Sequence, residues 1–347
     1  MISKLTNTKK DIFYLINKHS GSISKVEAEM LLEYLFNCAR IDLYARDFVV
    51  NETIEELYNS LVNRRMSGEP AQYITGCAEF MGLDFVVTKD VLIPRPETEI
   101  LVNEALAVCS IPASGRILDL CTGSCNIAVS LAKLMPQAEI VATDVSDAAL
   151  KIAEKNAVRH DVSDRIKFYK GNLFNALVFD TFSGKSRDKG CLSINAGIIE
   201  QENVVKNSKF DIIICNPPYI KEEELSFLQK EVRKEPEIAL NGGKDGLDFY
   251  RIIAKEAYRY LKEGGSILVE IGFGQAQAVK DIFSSNNIYK IYKTIKDFNQ
   301  IDRVVTLQIV PGTICKVKTD SLTNFAPATS FCEVKLRERN SKAITRG

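Results

Sequence analysis

Four residues that could hold a planar amino group follow directly after an apolar run at 210–215. They are Asn216, Pro217, Pro218 and Tyr219. An Asn side-chain oxygen and a proline-flanked backbone carbonyl can each accept a hydrogen bond from an –NH2 group, and the Tyr ring can cover the face of that group. We therefore interpret all four residues as a binding site for an amide or exocyclic amine that is alkylated on nitrogen. Asn216, Pro217 and Tyr219 are the candidate catalytic residues.

The preceding run positions this tetrapeptide. It is rich in β-branched residues and predicts a buried central strand. Two prolines cannot continue the ladder because they lack a backbone N–H, so they form a stiff turn at the carboxyl end of the strand. Open α/β sheets bind ligands at that edge. Asn-Pro-Pro is also a common structural turn, but its place after a strand of an alternating sheet favours the functional interpretation.

A second candidate site lies where an earlier predicted strand turns into a helix. Its residues are Cys121, Thr122, Gly123, Ser124 and Cys125. With a single glycine, this loop is not expected to bind a pyrophosphate. Asp144 ends the next strand, where a carboxylate can accept hydrogen bonds from both hydroxyls of a ribose. The combination suits a nucleoside without phosphates, and S-adenosyl-L-methionine is such a ligand.

Predicted strands and helices alternate around these residues. The strands are 117–120, 139–143, 166–169, 210–215 and 266–271, followed by a closing pair near 288–293 and 303–310. Helices are predicted near 126–134, 147–158 and 248–261. This order implies βαβ units. We predict an α/β fold with a mostly parallel, Rossmann-like sheet of seven strands.

The predicted domain organisation places a small helical bundle first, over residues 1–75. A capping box at Ser24 and Glu27 begins one of its helices, and apolar residues follow at helical spacing. A linking hairpin is expected at 76–96 and the alternating domain at 97–311. Within that domain, the polar segment 178–208 is predicted to be a flexible insertion, and 312–347 a loosely ordered tail.

Composition limits the class of protein. Lys plus Arg and Asp plus Glu both number 45, so the formal net charge is zero and a broadly basic nucleic-acid surface is not indicated. The nine cysteines form no Cys-x-x-Cys pair and there are only two histidines, which argues against a zinc or other metal site and against a disulfide framework. Because no apolar stretch reaches membrane-spanning length, we expect a cytoplasmic protein without a membrane partner.

The chain resembles the N(5)-glutamine methyltransferases that modify peptide chain release factors, the HemK/PrmC family. The resemblance runs from about residue 24 to 310. It rests on the segments 68–76, 92–99, 119–125, 216–219, 241–250, 270–272 and 302–305. The tetrapeptide at 216–219 is shared with amino-methyltransferases of DNA and RNA, whereas the Ile-Pro-Arg-Pro-Glu-Thr-Glu segment at 93–99 is strongly specific.

The resemblance implies a class I methyltransferase domain at 97–311, with S-adenosyl-L-methionine as cofactor. The implied substrate is the glutamine of a Gly-Gly-Gln motif in release factors, which would be the protein partner. By position, Cys121 to Cys125 would border the methionine portion of the cofactor and Asp144 would hold its ribose. Leu173 would lie by the adenine, with Asn172 nearby. Asn216 would face both cofactor and substrate, and the whole tetrapeptide would hold the glutamine amide.

The chain departs from the family pattern at two places. The family's loop is Gly-Thr-Gly-Ser-Gly-like, and here Cys121 and Cys125 occupy its outer positions. Asn172 replaces the common Asp near the adenine. The insertion at 178–208 and the tail have no counterpart in the pattern.

Three other functions compete with this interpretation. The target could be a different glutamine, such as one in a ribosomal protein. It could be an adenine of nucleic acid, although such enzymes must extract a base and usually carry a basic recognition region. A non-catalytic cofactor-binding scaffold is the third, and titration with the cofactor would distinguish it.

Overall fold

The computed structural model describes residues 11–108, 114–177, 209–285 and 287–313. The predicted insertion at 178–208 lies outside the described residues, as does the predicted tail apart from residues 312 and 313. One compact unit spans Met1–Val310 and is not divided further. The predicted domain boundaries after residues 75 and 96 lie within this unit and stay predictions.

Five helices precede the first strand in the described residues. They are α1 (Ile12–Lys18), α2 (Lys25–Phe36), α3 (Asp42–Ala45), α4 (Glu52–Met66) and α5 (Ala71–Thr75). The predicted capping box begins α2, because Ser24 Oγ accepts from the Glu27 N–H at 3.2 Å and Glu27 Oε2 accepts from the Ser24 N–H at 2.8 Å. Apolar residues of these helices, Leu31, Leu32 and Tyr58 among them, form a core of their own.

An antiparallel hairpin follows, with β1 (Cys77–Phe80) and β2 (Leu83–Val86). After it come a short 3-10 helix (Pro96–Thr98) and α6 (Glu99–Ala107). The aromatic rings of Phe80 and Phe85 are buried against one another and join the core beneath the main sheet. The hairpin predicted from the sequence is therefore present.

The main sheet has seven strands. These are β3 (Arg116–Leu120), β4 (Glu139–Asp144), β5 (Ile166–Lys170), β6 (Phe210–Cys215), β7 (Leu261–Glu270), β8 (Tyr289–Lys296) and β9 (Asp302–Ile309). Their order is β5-β4-β3-β6-β7-β9-β8; the first five run parallel, and β9 is antiparallel to both of its neighbours. The predicted mostly parallel seven-stranded sheet is confirmed.

Four further helices complete the described part of this domain: α7 (Asn126–Leu134), α8 (Asp147–Arg159), α9 (Asp248–Glu256) and α10 (Ala276–Ser284). Short 3-10 helices lie at Leu173–Leu177, Glu222–Phe227, Val232–Lys234, Glu237–Ala239 and Ala257–Arg259. The central strands β3 and β6 are almost wholly buried and mainly apolar, with Asp119 the buried exception in β3, as expected of strands covered on both faces.

Two predicted boundaries are wrong. The helix predicted near 248–261 runs as α9 to Glu256 and then as a 3-10 helix to Arg259, and the strand predicted over 266–271 already begins at Leu261. Leu261 follows Ile253 and Ala257 at helical spacing, so the apolar pattern did not separate the two elements. In the fold, Leu261 pairs with Phe210 on β6 instead, and the register shifts just beyond that pair.

The strand order creates a crevice at the carboxyl edge of the sheet. The chain leaves β3 toward β4 on one side, whereas β6 lies on the other side of β3. Such a topological switch point is where open α/β sheets bind ligands. The predicted site residues lie at the last position of a strand or shortly after a strand that ends at this edge.

Candidate active site

The two predicted loops leave the sheet side by side. Leu120 and Cys215, the last residues of β3 and β6, are paired across the parallel ladder. Cys121 and Asn216 follow them directly. Burial, together with contact from the Cys121 thiol, raises the pKa of Cys215. The structure thus brings the Asn216 turn next to the loop at 121–125, as the sequence predicted.

The backbone of this loop favours glycine at three of its positions. The φ angles of Cys121, Gly123 and Cys125 are +58°, +54° and +68°. This left-handed region favours glycine, and a side chain there carries strain. A Cβ placed on Gly123 would have no atom within 4 Å, so open space lies next to it. The Cys125 side chain packs into the core below.

Asp119 supports the loop from beneath. The Thr122 hydroxyl donates to Asp119 Oδ2 at 2.6 Å, while Asp119 Oδ1 is buried without a partner among the described residues. Burial raises the pKa of Asp119 to about 7. A buried, unpaired carboxylate oxygen is costly unless a hydrogen-bond donor meets it, and this oxygen therefore invites a donor from a ligand.

Asp144, at the end of β4, is held by the same loop. Its Oδ2 accepts from the Gly123 N–H at 2.9 Å, and its Oδ1 accepts from the Ser146 N–H at 2.9 Å. Burial raises the pKa of Asp144, and these backbone hydrogen bonds oppose the rise. Each carboxylate oxygen retains further lone pairs. The side chain is thus fixed in orientation and still able to accept two hydroxyl hydrogens.

Leu173 lies in a turn against Asp144. The Gly171 N–H donates to the Asp144 carbonyl at 2.9 Å. Leu173 is buried with φ +48°, whereas Asn172 is exposed. Gly171 has no room for a side chain, since a Cβ there would lie 2.6 Å from Ala176 backbone atoms. The turn therefore offers an apolar side chain beside the predicted ribose acceptor.

The Asn216 side chain points back into the protein through its amino group. Asn216 Nδ2 donates to the Thr98 hydroxyl at 3.1 Å. Within the described residues no hydrogen bond reaches Asn216 Oδ1, and the side chain is half-buried. The oxygen is thus available to accept from an incoming N–H.

The turn after Asn216 is rigid because neighbouring segments pack on it closely. Pro217 and Pro218 are buried. A Cβ on Gly242 would lie 2.7 Å from Tyr219 Cα, so this glycine permits the close contact. Gln275 Nε2 donates to the Tyr219 carbonyl at 2.9 Å. Segments near 242 and 275 therefore fix the backbone of the tetrapeptide.

Tyr219 reaches the carboxyl end of β7. Its hydroxyl donates to Glu270 Oε1 at 3.4 Å, and burial raises the pKa of Tyr219. Burial also raises the pKa of Glu270 to about 7. Glu270 Oε2 has no hydrogen-bond partner in the part of the chain that the structure describes.

Comparison with known proteins agrees with this geometry. Residues 16–76 match the PrmC N-terminal domain and residues 112–316 match a methyltransferase domain. A release factor glutamine methyltransferase from Geobacter sulfurreducens is 40% identical over 81% of this chain and 88% of its own length. One from Clostridium acetobutylicum is 37% identical over 80% and 89%.

The chain belongs to the release factor glutamine methyltransferase family. It is a methyltransferase, and the family resemblance seen in the sequence is confirmed. Among solved structures, a methyltransferase from Pyrococcus furiosus is 17% identical with a TM-score of 0.44, covering 66% of this chain and 90% of that one. A likeness at that level carries no functional argument.

Two residues of this site, Thr98 and Glu270, were not identified from the sequence. Both lie in segments that carried the family resemblance, but neither was given a role there. Glu270 ends an apolar strand next to β6, and that position was a usable signal. Thr98 lies 118 residues from Asn216 in sequence, so no local pattern could have linked the two.

One depression described by the structure lies outside this site. A surface depression of about 550 Å³ on α4 contains none of the predicted site residues; its lining is Glu56, Asn59, Ser60, Asn63, Arg64 and Ser67. No group of three or more His, Cys, Asp or Glu residues in the described ranges is arranged to hold a metal ion. Among these same residues, no helix has the length and hydropathy to cross a membrane.

Proposed function

We propose that this methyltransferase transfers a methyl group from S-adenosyl-L-methionine to the side-chain amide nitrogen of glutamine in the Gly-Gly-Gln motif of peptide chain release factors. The observation that carries the proposal is the juxtaposition of Asn216 with the 121–125 loop, at the ends of two paired strands. The names of the relatives support the choice of a protein glutamine as acceptor.

The residues at the carboxyl edge fit a nucleoside with a charged sulfur. Asp144 has two fixed oxygens for a ribose, and Leu173 supplies an apolar surface beside them. Asp119 Oδ1 is a buried acceptor that needs a donor. When bound, S-adenosyl-L-methionine would supply an electrophilic methyl group on a positively charged sulfonium.

The tetrapeptide would hold the acceptor nitrogen. Asn216 Oδ1 and the Pro217 carbonyl would accept the two amide hydrogens, and Tyr219 would pack against the amide plane. An amide nitrogen is a poor nucleophile because its lone pair is delocalised into the carbonyl. Holding both hydrogens would turn that lone pair toward the methyl group, in line with the departing sulfur. Placement of this kind supplies about 7–11 kcal/mol in favourable cases.

The proton need not be removed before transfer. None of the three proposed catalytic residues is a strong base, so the nitrogen would form its bond to carbon as the carbon–sulfur bond breaks and sulfur keeps the electron pair. The proton would leave the nitrogen afterwards to water. The chain's contribution is then orientation and exclusion of competing nucleophiles. Two buried prolines and a closely packed Gly242 support that role, because they leave the turn little freedom.

The test is incubation with isotopically labelled S-adenosyl-L-methionine and a purified release factor, followed by mass spectrometry of peptides. We expect one added methyl group on the glutamine of Gly-Gly-Gln. A release factor with that glutamine replaced by alanine is the matched control and should stay unlabelled. Ribosomal proteins, ribosomal RNA and DNA serve as competing acceptors, and label found on one of them instead would overturn the proposal.

A further inference from the structure

The Thr98 hydroxyl forms a hydrogen bond with the candidate site. Thr98 ends the 3-10 helix before α6 and is 1% exposed. Its backbone is helical, with φ −67° and ψ −19°, and its side chain does not cap α6. Its hydroxyl accepts from Asn216 Nδ2 at 3.1 Å. The hydroxyl thus contacts the candidate site and leaves its own helix uncapped.

The Glu270 carboxylate lies next to the Thr98 hydroxyl. Glu270 is 2% exposed, and its Oε2 is buried without a hydrogen-bond partner in the described residues. Interaction with the Thr98 side chain opposes the rise in the Glu270 pKa, so the two groups lie close together. Glu270 Oε1 accepts from the Tyr219 hydroxyl at 3.4 Å. Oε2 is therefore the acceptor toward which the Thr98 hydroxyl can turn its hydrogen.

A threonine hydroxyl has only one hydrogen to donate. If that hydrogen is directed at Glu270, the Thr98 oxygen can only accept from Asn216. Asn216 must then turn its amino group inward and its oxygen toward the open side. In the flipped orientation Asn216 Oδ1 would face an oxygen that cannot donate, and its amino group would oppose the amino group of the substrate.

We propose that Thr98 is a positioning residue that fixes the orientation of the Asn216 carboxamide, with Glu270 setting the direction of the hydrogen bond. The consequence of this positioning is that Asn216 Oδ1 faces the substrate amide, and that consequence rests on the proposed function. Thr98 itself does not touch the reacting atoms in this account. It acts through Asn216.

The experiment compares Thr98→Val with Thr98→Ser. Valine keeps the shape but removes the hydroxyl, whereas serine keeps the hydroxyl. Loss of one net hydrogen bond corresponds to about a 10-fold effect, so we expect kcat of Thr98→Val to fall about 10-fold. The KM for the release factor and the Kd for the cofactor should stay near wild type. Thr98→Ser should retain most of kcat.

A double variant separates positioning from general damage. If Thr98 acts only through Asn216, adding Thr98→Val to Asn216→Ala should lower kcat no further, because interacting residues are non-additive. Losses that multiply would overturn the inference. So would equal losses in the valine and serine variants, or no loss in either.

A measurement that does not depend on catalysis separates this test from the test of the proposed function. The side-chain NH2 of Asn216 can be observed by ¹⁵N NMR and assigned from its absence in Asn216→Ala. We expect its hydrogens to exchange with solvent about 10-fold faster in Thr98→Val than in wild type or Thr98→Ser, for a hydrogen bond of about 1 kcal/mol. If wild type methylates no glutamine but this difference is seen, the proposed function fails and the positioning survives. Unchanged exchange would refute the positioning.

Discussion

Replacement of Asn216 by alanine should separate turnover from cofactor binding. The side chain makes one described hydrogen bond, to Thr98, and its Oδ1 is available to the substrate. None of the described hydrogen bonds of Asp144 or of the 121–125 loop involves this side chain. The variant should therefore lose a substrate contact and keep the cofactor contacts.

The magnitude follows from the charge that develops on nitrogen. In the transition state the amide hydrogens become more acidic, and a hydrogen bond from a charged donor is worth about 1.5–3 kcal/mol. Since 1.36 kcal/mol is tenfold in rate, kcat should fall by about 10- to 150-fold. The cofactor Kd should change by less than about threefold, because no more than a weak neutral contact is lost.

The assay pairs single-turnover methyl transfer to a release factor with calorimetric titration of the cofactor. Asn63→Ala is the matched control, because Asn63 is an exposed asparagine on α4 far from the sheet edge in sequence. It should leave both quantities unchanged. Equal losses of kcat and cofactor affinity in Asn216→Ala would refute the assigned role, and so would full activity.

The other predictions concern cofactor affinity, pH and the Arg95 ion pair. Asp144→Ala should weaken cofactor binding about 100-fold, as two hydrogen bonds to a charged acceptor of about 1.5 kcal/mol each are lost; calorimetry checks this, with Asp147→Ala, an exposed partner of Lys170, as control, and a loss below threefold contradicts it. Glu270 has an ordinary pKa of 4.5 and a folded pKa of about 7, so the folded state holds its proton more tightly than the unfolded chain does. Its contribution to stability is present below about pH 4.5 and is lost as pH rises through 7. In urea unfolding, the advantage of wild type over Glu270→Gln should therefore shrink from pH 5 to pH 8, and an advantage that is constant or grows contradicts the assignment. Arg95 pairs with Glu235, which is buried and also accepts from the Ile93 N–H at 3.0 Å. Arg95→Ala should lower the free energy of unfolding in urea by about 2 kcal/mol, a value reduced for the partial exposure of the arginine. The double variant Arg95→Ala/Glu235→Ala should recover part of that loss, because it no longer leaves the Glu235 carboxylate buried and unpaired. A loss equal to the sum of the two single losses would contradict this explanation.

The sheet was predictable because its strands carry distinct patterns. Apolar, β-branched runs such as 210–215 read as buried strands, and their alternation with helices implied parallel order. The start of β7 was hidden, because Lys262 to Gly265 are polar or small and lie in a register shift between the pairs that Leu261 and Ser266 form with β6. Very short helices such as α3 also carry too few residues for periodicity to show.

The position of the candidate site was predictable from the sequence, but the hydrogen bonds within it were not. Residues that follow parallel strands must meet at one edge of the sheet, which placed Cys121, Asp144 and Asn216 together before any coordinates. The hydrogen bond from Asn216 to Thr98 joins residues 118 positions apart in the chain. Such contacts depend on the exact packing of α6 against the sheet, which no local sequence pattern encodes.

The most direct measurement of the central claim is a pair of distances in a crystal structure with S-adenosylhomocysteine and a glutamine-containing release factor. We predict that the glutamine Nε2 lies about 2.7–3.2 Å from both Asn216 Oδ1 and the Pro217 carbonyl oxygen, the range of N–H···O hydrogen bonds. A glutamine nitrogen bound beyond hydrogen-bonding distance of Asn216 Oδ1, or one held by the Asn216 amino group, would contradict the account.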